Sequence, residues 1–165
     1  MWVADMDFRT APEVTDAIGR NVMENRLIYD GQDYRIDFMD LEEKLSDPQT
    51  SMMILCNPHN PIGKIWDSEI LRKIGELCSR HHVLVLSDEI HCDLTEPGFE
   101  YIPFASVSEE CRKNSITCVA PTKAFNLAGI QTAAVIVPDG TLRHKVSRAK
   151  RVMCCPGKSY LSSLD

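Results

Sequence analysis

The chain has 165 residues, 44% of them hydrophobic and 25% charged, with a formal net charge of -6. These are values for one ordinary globular domain, and the acidic balance (pI near 5.4) argues against a nucleic-acid partner. No apolar run reaches the roughly 20 residues of a membrane span, and Met1–Asp5 lacks the basic and apolar parts of a secretory leader.

Taken in order, Met1 to Phe8 is a short apolar and acidic opening. Thr10-Ala11-Pro12-Glu13 then starts a helix, with proline in the first turn and Val14, Ala17 and Ile18 forming a face. Asn25 to Gln32 reads as irregular or extended, turning at Asp30-Gly31. A second helix spans Asp37 to Leu45 with Phe38, Leu41 and Leu45 on one side, and Ser46-Asp47-Pro48 ends it. Ser51 to Cys56 is a continuous apolar run of strand length. Asn57-Pro58-His59-Asn60-Pro61-Ile62-Gly63 behind it is all turn chemistry. Asp67 caps a helix that runs to about Arg80. Its stripe is Ile70, Leu71, Ile74, Leu77 and Cys78, onto which Trp66 can staple through Leu71. Val83 to Ser87 reads as a fully buried strand ending at Asp88-Glu89-Ile90-His91. A looser stretch follows, punctuated by Pro97-Gly98 and Pro103. Ser115 to Val119 is a third strand and Thr132 to Val137 a fourth. Pro138-Asp139-Gly140 closes the last, and Thr141 opens a basic helix to about Arg151.

Apolar strands alternating with amphipathic helices predict an α/β fold: a three-layer, mostly parallel sheet with helices on both faces. In such folds the polar residues just past the strand ends share one edge. Asn60, Asp88 and Lys123 each stand there. A lysine whose surroundings depress its pKa can attack a carbonyl. With a carboxylate and an asparagine at neighbouring strand ends, the set suits pyridoxal phosphate. The lysine bonds to the cofactor, the carboxylate keeps the ring nitrogen protonated, and the amide donates to the ring oxygen. Each residue also has a plainer reading. Lys123 can be a solvated loop lysine, Asp88 a cap after a strand, Asn60 a turn residue and His91 a packed histidine. His59 reads as loop surface and His81-His82 as a solvated helix end. No histidine, carboxylate and cysteine set has metal-ligand spacing. The seven cysteines are odd in number and lack a C-x-x-C pair. They read as reduced thiols of a cytoplasmic protein, with Cys56, Cys78 and Cys118 buried.

At three stretches the chain resembles the fold-type I pyridoxal-phosphate enzymes of the class I/II aminotransferase superfamily. They are Asn57 to Gly63, Ser87-Asp88-Glu89-Ile90-His91, and Thr122-Lys123-Ala124-Phe125-Asn126-Leu127-Ala128-Gly129. Trp2 to Phe8 and His91 are similar to the cystathionine β-lyase branch. The resemblance implies the large domain of an aspartate-aminotransferase-like fold, a homodimer, and a small sulfur-containing amino acid as substrate. The implied activity is a carbon–sulfur β-lyase. An aminotransferase is the first alternative, and a non-catalytic fragment acting through protein binding is the second. The resemblance makes Lys123 the catalytic lysine and cofactor attachment point, with Asp88 on the ring nitrogen and Asn60 on the ring oxygen. It puts Thr122 near the phosphate, His91 near ring or substrate, and Ala4 and Asp5 near the substrate carboxylate. Ala120 and Gln131 stand where many relatives carry a phosphate-binding serine and arginine. The expected organisation is a family N-terminal segment over 1–18, a partial cofactor-binding domain over 19–151 and an atypical tail over 152–165. The family's C-terminal small domain is expected to be absent. Between about Ile18 and Asn21 the chain jumps past the family's glycine-led phosphate turn, so weak cofactor affinity and exposed apolar strand edges are expected.

Overall fold

The computed structural model describes residues 23–130 and 132–153. The expected helix after Thr10 lies outside them, as does the atypical tail except for residues 152 and 153, which continue the last helix. The first paired element is an antiparallel hairpin of β1 (Leu27–Tyr29) and β2 (Tyr34–Ile36), with Leu27 opposite Ile36. Asp30 makes the turn: its Oδ1 accepts from the backbone N–H groups of Gln32 and Asp33 at 3.0 and 2.9 Å. Gly31 takes the positive φ of 95° that a side chain would resist. The turn is where the sequence puts it. The pairing on either side is additional, because three-residue strands are too short to carry a visible alternation.

Asp37 then caps α1 (Phe38–Leu45), accepting from the N–H groups of Met39 and Asp40. Leu41 and Leu45 are buried, and Phe38 packs against the same core.

The main sheet has the order β3 (Met52–Cys56), β4 (Leu84–Asp88), β5 (Ser115–Val119), β6 (Ala134–Ile136). The first three strands are parallel and β6 runs antiparallel to β5. The mostly parallel sheet with packed helices is the expected one. The helix α2 (Ser68–Arg80), capped by Asp67, crosses from β3 to β4, and α3 (Glu109–Lys113) leads into β5. Leu71, Ile74, Leu77 and Cys78 of α2 meet Phe104, Cys111, Leu55, Val83 and Val85 in one cluster. Finally α4 (Gly140–Met153) follows β6.

Burial along β4 alternates: Val85 and Ser87 are buried, whereas Leu84, Leu86 and Asp88 are half-buried. A fully buried strand is therefore corrected to one buried on a single face. The reason is that α2 and α3 cover the face of Val85 and Ser87, and Ile54 on the other face is 65% exposed. The segment after Pro103 holds a 3-10 turn (Phe104–Ser106) and α3, both missed by sequence reasoning. The signal for α3 was present. Ser108 Oγ accepts from the Cys111 N–H at 3.2 Å, with acids in the first turn and bases in the last.

One close approach in this core is testable. Gly75 lies inside α2, and a Cβ there would fall 2.3 Å from Cys111 Sγ. A helical glycine-to-alanine change ordinarily gains up to about 1 kcal/mol. Here overpacking should outweigh that gain, so Gly75→Ala is expected to destabilise by about 1–3 kcal/mol in urea unfolding. Adding Cys111→Ala should restore most of the loss; a stabilised Gly75→Ala would contradict the packing.

Candidate functional site

Two backbone hydrogen bonds carry the sheet past its strand ends. The Asn57 N–H donates to the Asp88 carbonyl at 2.9 Å, and the Glu89 N–H donates to the Cys118 carbonyl at 2.9 Å. The parallel strands β3, β4 and β5 therefore finish at one level, the outer two about 10 Å apart. Three turns leave from this edge.

The turn after β3 is tightened by Gly63, at a φ of 70°. The Gly63 N–H donates to the His59 carbonyl at 2.8 Å and the His59 N–H to the Lys64 carbonyl at 2.7 Å. The Trp66 indole ties the turn back to the Cys56 carbonyl at 3.1 Å. Asn60 is exposed at the tip. A cavity of ≈ 600 Å³ opens beside it, with His59, Asn60, Lys64, His91, Leu94 and Phe99 among its walls. His59 is not loop surface: its ring is half-buried, 6.0 Å from that of Trp66. Burial holds its imidazole below the ordinary value.

Asp88 ends β4 with Cys56 and Cys118 as its register partners on the two neighbouring strands. Both thiols are half-buried rather than buried. Burial, and secondarily the Asp88 carboxylate, pushes both thiols up, which keeps them neutral beside it. Asp88 starts a turn rather than a helix, its Oδ1 facing the Ile90 N–H at 3.3 Å.

The turn after β5 holds Thr122, half-buried, and Lys123, exposed. It is closed by the Phe125 N–H on the Pro121 carbonyl at 3.0 Å and the Leu127 N–H on the Thr122 carbonyl at 3.1 Å. Asn126 sits there at a φ of 53°, a conformation asparagine tolerates better than most residues.

The structure thus puts Asn60 and His91 on one cavity. Asp88 and Lys123 stand on the same sheet edge, one and two strands over, but do not line that cavity. Ala4, Asp5 and Gln131 lie outside the described residues. Sequence reasoning missed His59, Cys56 and Cys118 as neighbours of the site. It also missed Glu89, whose place beside Asp88 on a strand end already implies an inward side chain.

The chemistry of this set is specific. A carboxylate accepts, a carboxamide donates, and a primary amine can add to a carbonyl. Together they fit a heteroaromatic ring with a protonated nitrogen, a ring oxygen and an aldehyde. The Thr122 hydroxyl offers one donor to an anionic substituent. Among the described residues no group of three or more histidines, cysteines or carboxylates could hold a metal ion. No helix among them is long and apolar enough to cross a membrane.

Comparisons with known proteins agree on the lineage. The sequence model of the family described as aminotransferase class I and II matches residues 2–163. Cystathionine beta-lyase PatB of Bacillus subtilis is 52% identical over 129 residues, covering 78% of this chain and 33% of the relative. A PLP-bound putative aminotransferase from Clostridium difficile superposes with a TM-score of 0.74 at 41% identity, covering 78% of this chain and 33% of that one. Cystalysin from Treponema denticola, solved with pyridoxal 5'-phosphate, superposes at 0.76 with 33% identity, covering 79% and 33%. The chain spans about a third of the length of the curated relatives it matches.

The His59 environment generates a pH prediction. Below the ordinary imidazole value of 6.5 the unfolded chain takes up a proton that the folded chain resists. Stability should therefore fall as pH drops from about 7 to about 5, and His59→Gln should flatten that slope. Urea midpoints across the window check it; an unchanged slope in the variant contradicts the assignment.

Proposed function

The chain belongs to the aminotransferase class I and II family, and on that premise we propose that its strand-end edge holds pyridoxal 5'-phosphate for a carbon–sulfur β-lyase. Such an enzyme converts a cysteine S-conjugate and water into a thiol, pyruvate and ammonia. The observation that carries the reading is the register. Asp88 lies between the β3 turn bearing Asn60 and the β5 turn bearing Thr122 and Lys123.

The cofactor, when bound, supplies an electron sink for the carbanion of an amino-acid substrate. The rest falls to the chain's own groups. Asp88 accepts the ring N–H, with two neutral thiols beside it that add no competing charge. Asn60 donates its amide N–H to the ring oxygen. Thr122 donates to the phosphate. Lys123 would hold the aldehyde carbon until the substrate's own amine displaces it, and the released amine would then move the proton at the substrate α-carbon, a task that suits an amine free to swing on an open turn. His91 borders the cavity in which the sulfur-bearing side chain would lie. Ala4 and Asp5 are assigned to the substrate carboxylate by likeness to the family alone.

A cytoplasmic location and a homodimer belong to the same proposal. Cys56, Cys78, Cys92, Cys111 and Cys118 are all free thiols, as in a reducing compartment. Ile54, Val135 and Ile136 expose apolar surface that a second subunit could cover. Amino transfer on the same residues is the second reading, favoured by the likeness to the Clostridium difficile protein.

Cystathionine and saturating pyridoxal phosphate decide between them. Pyruvate release without added keto acid is expected of the lyase, and amino transfer that requires a keto acid is expected of the alternative. Lys123→Ala should abolish either activity and the visible absorbance of bound cofactor. Absorbance equal in Lys123→Ala and the unaltered chain would overturn the cofactor site.

A further inference from the structure

Glu89 is buried, 1% exposed, with no lysine or arginine against it among the described residues. Its carboxylate is met instead by three donors from three places in the chain. Ser87 Oγ donates to Oε1 at 2.7 Å, the Phe104 N–H donates to the same oxygen at 3.0 Å, and the Tyr101 hydroxyl donates to Oε2. Burying a carboxylate is costly unless its oxygens are satisfied in this way. Burial, followed by the Glu89 carboxylate itself, pushes the Tyr101 phenol up, so it stays a donor at all ordinary pH values.

Side chains alternate faces along a strand. Ser87 and Glu89 point into the core, and Asp88 between them points to the other face. Residues 90–100 leave from Glu89 and return at Tyr101, so the Glu89–Tyr101 bond closes the base of this loop. A second tie lies beside it: Asn57 Nδ2 donates to the Ile102 carbonyl at 2.8 Å. The loop carries His91, Leu94, Glu96 and Phe99 to the cavity wall.

We propose that Glu89 is a positioning residue: its inward carboxylate anchors the end of β4 through Ser87, Tyr101 and Phe104, and thereby fixes both the direction of Asp88 and the standing of the 90–100 loop at the cavity. This rests on the reading of Asp88 as the partner of the cofactor's ring nitrogen. Glu89 touches neither ring nor substrate in this account.

Four variants of the 165-residue chain test it, with pyridoxal phosphate as the probe and visible absorbance as the readout. Glu89→Ala removes the anchor, and Tyr101→Phe removes one donor and leaves the other two. Glu89→Gln keeps an acceptor for Ser87 and Phe104 and can donate to the Tyr101 oxygen. Asn114→Ala is the control, because Asn114 Nδ2 bonds the Val83 carbonyl at 2.7 Å at the far end of the strand. Glu89→Ala should weaken uptake roughly tenfold and shift the pH midpoint of the absorbance, with Tyr101→Phe intermediate and Glu89→Gln close to the unaltered chain. Asn114→Ala should lower the melting temperature and leave uptake and midpoint alone. Should Glu89→Ala not fold, Tyr101→Phe carries the test. Unchanged uptake and midpoint in the variants of the anchor, or an equal effect from Asn114→Ala, overturns the inference while the cofactor reading stands. Absence of any Lys123-dependent absorbance in the unaltered chain overturns the cofactor reading, and the inference with it.

Discussion

The hydrogen bonds from the Asn57 N–H to Asp88 and from the Glu89 N–H to Cys118 hold the three strand-end turns side by side. Each is an ordinary backbone bond, with a net worth of about 1 kcal/mol. Their importance is positional. They extend two parallel ladders one residue beyond the strands, which forces three turns to start side by side. Without them, the turn after β3 could drift from the end of β4, and Asn60 would have no defined relation to Asp88. A site made of exposed turn residues needs such a rigid footing, since Asn60 and Lys123 are themselves open to solvent.

The footing is asymmetric. On one face, α2 and α3 pack a continuous apolar cluster down to fully buried Leu71, Ile74, Phe104 and Cys111. That cluster carries the stability. On the other face stand half-buried Leu86, Asp88 and Cys118 and strongly exposed Ile54. Asp88 can therefore keep its carboxylate on the open side, whereas Ser87 and Glu89 point to the packed side and must find internal partners, which Ser87 Oγ does by donating to Glu89 Oε1.

Much of this was legible in the residues. The α2 helix was readable from Asp67 through the Ile70, Leu71, Ile74, Leu77 and Cys78 stripe, because a thirteen-residue helix repeats its pattern often enough to be unambiguous. The ends of β4 and β5 were readable because the apolar runs give way to Ser87-Asp88 and to Pro121-Thr122-Lys123. The hairpin before α1 was not, its strands having three residues each, and the five-residue α3 is too short to repeat an apolar stripe, leaving only its Ser108 cap and end charges as a signal. The one-sided burial of β4 was not legible either. Leu84 and Leu86 are as apolar as Val83 and Val85, so composition does not report which face a helix covers. At the site, the polar strand-end residues could be named, but the cavity wall could not. His59 and Phe99 reach it through turns whose paths depend on contacts distant in sequence.

On the proposed function, the edge formed by Asn60, Asp88 and Lys123 holds pyridoxal phosphate through the Lys123 amine. Its most direct test is borohydride reduction of the chain with pyridoxal phosphate, which makes the carbon–nitrogen link permanent, followed by peptide mass spectrometry. The cofactor's mass is expected on Lys123, with labelling of Lys64, Lys73 and Lys113 at background and a sharp drop at Lys123 when Asp88 is changed to alanine. Label spread evenly over the surface lysines, or unaffected by the Asp88 change, would contradict it.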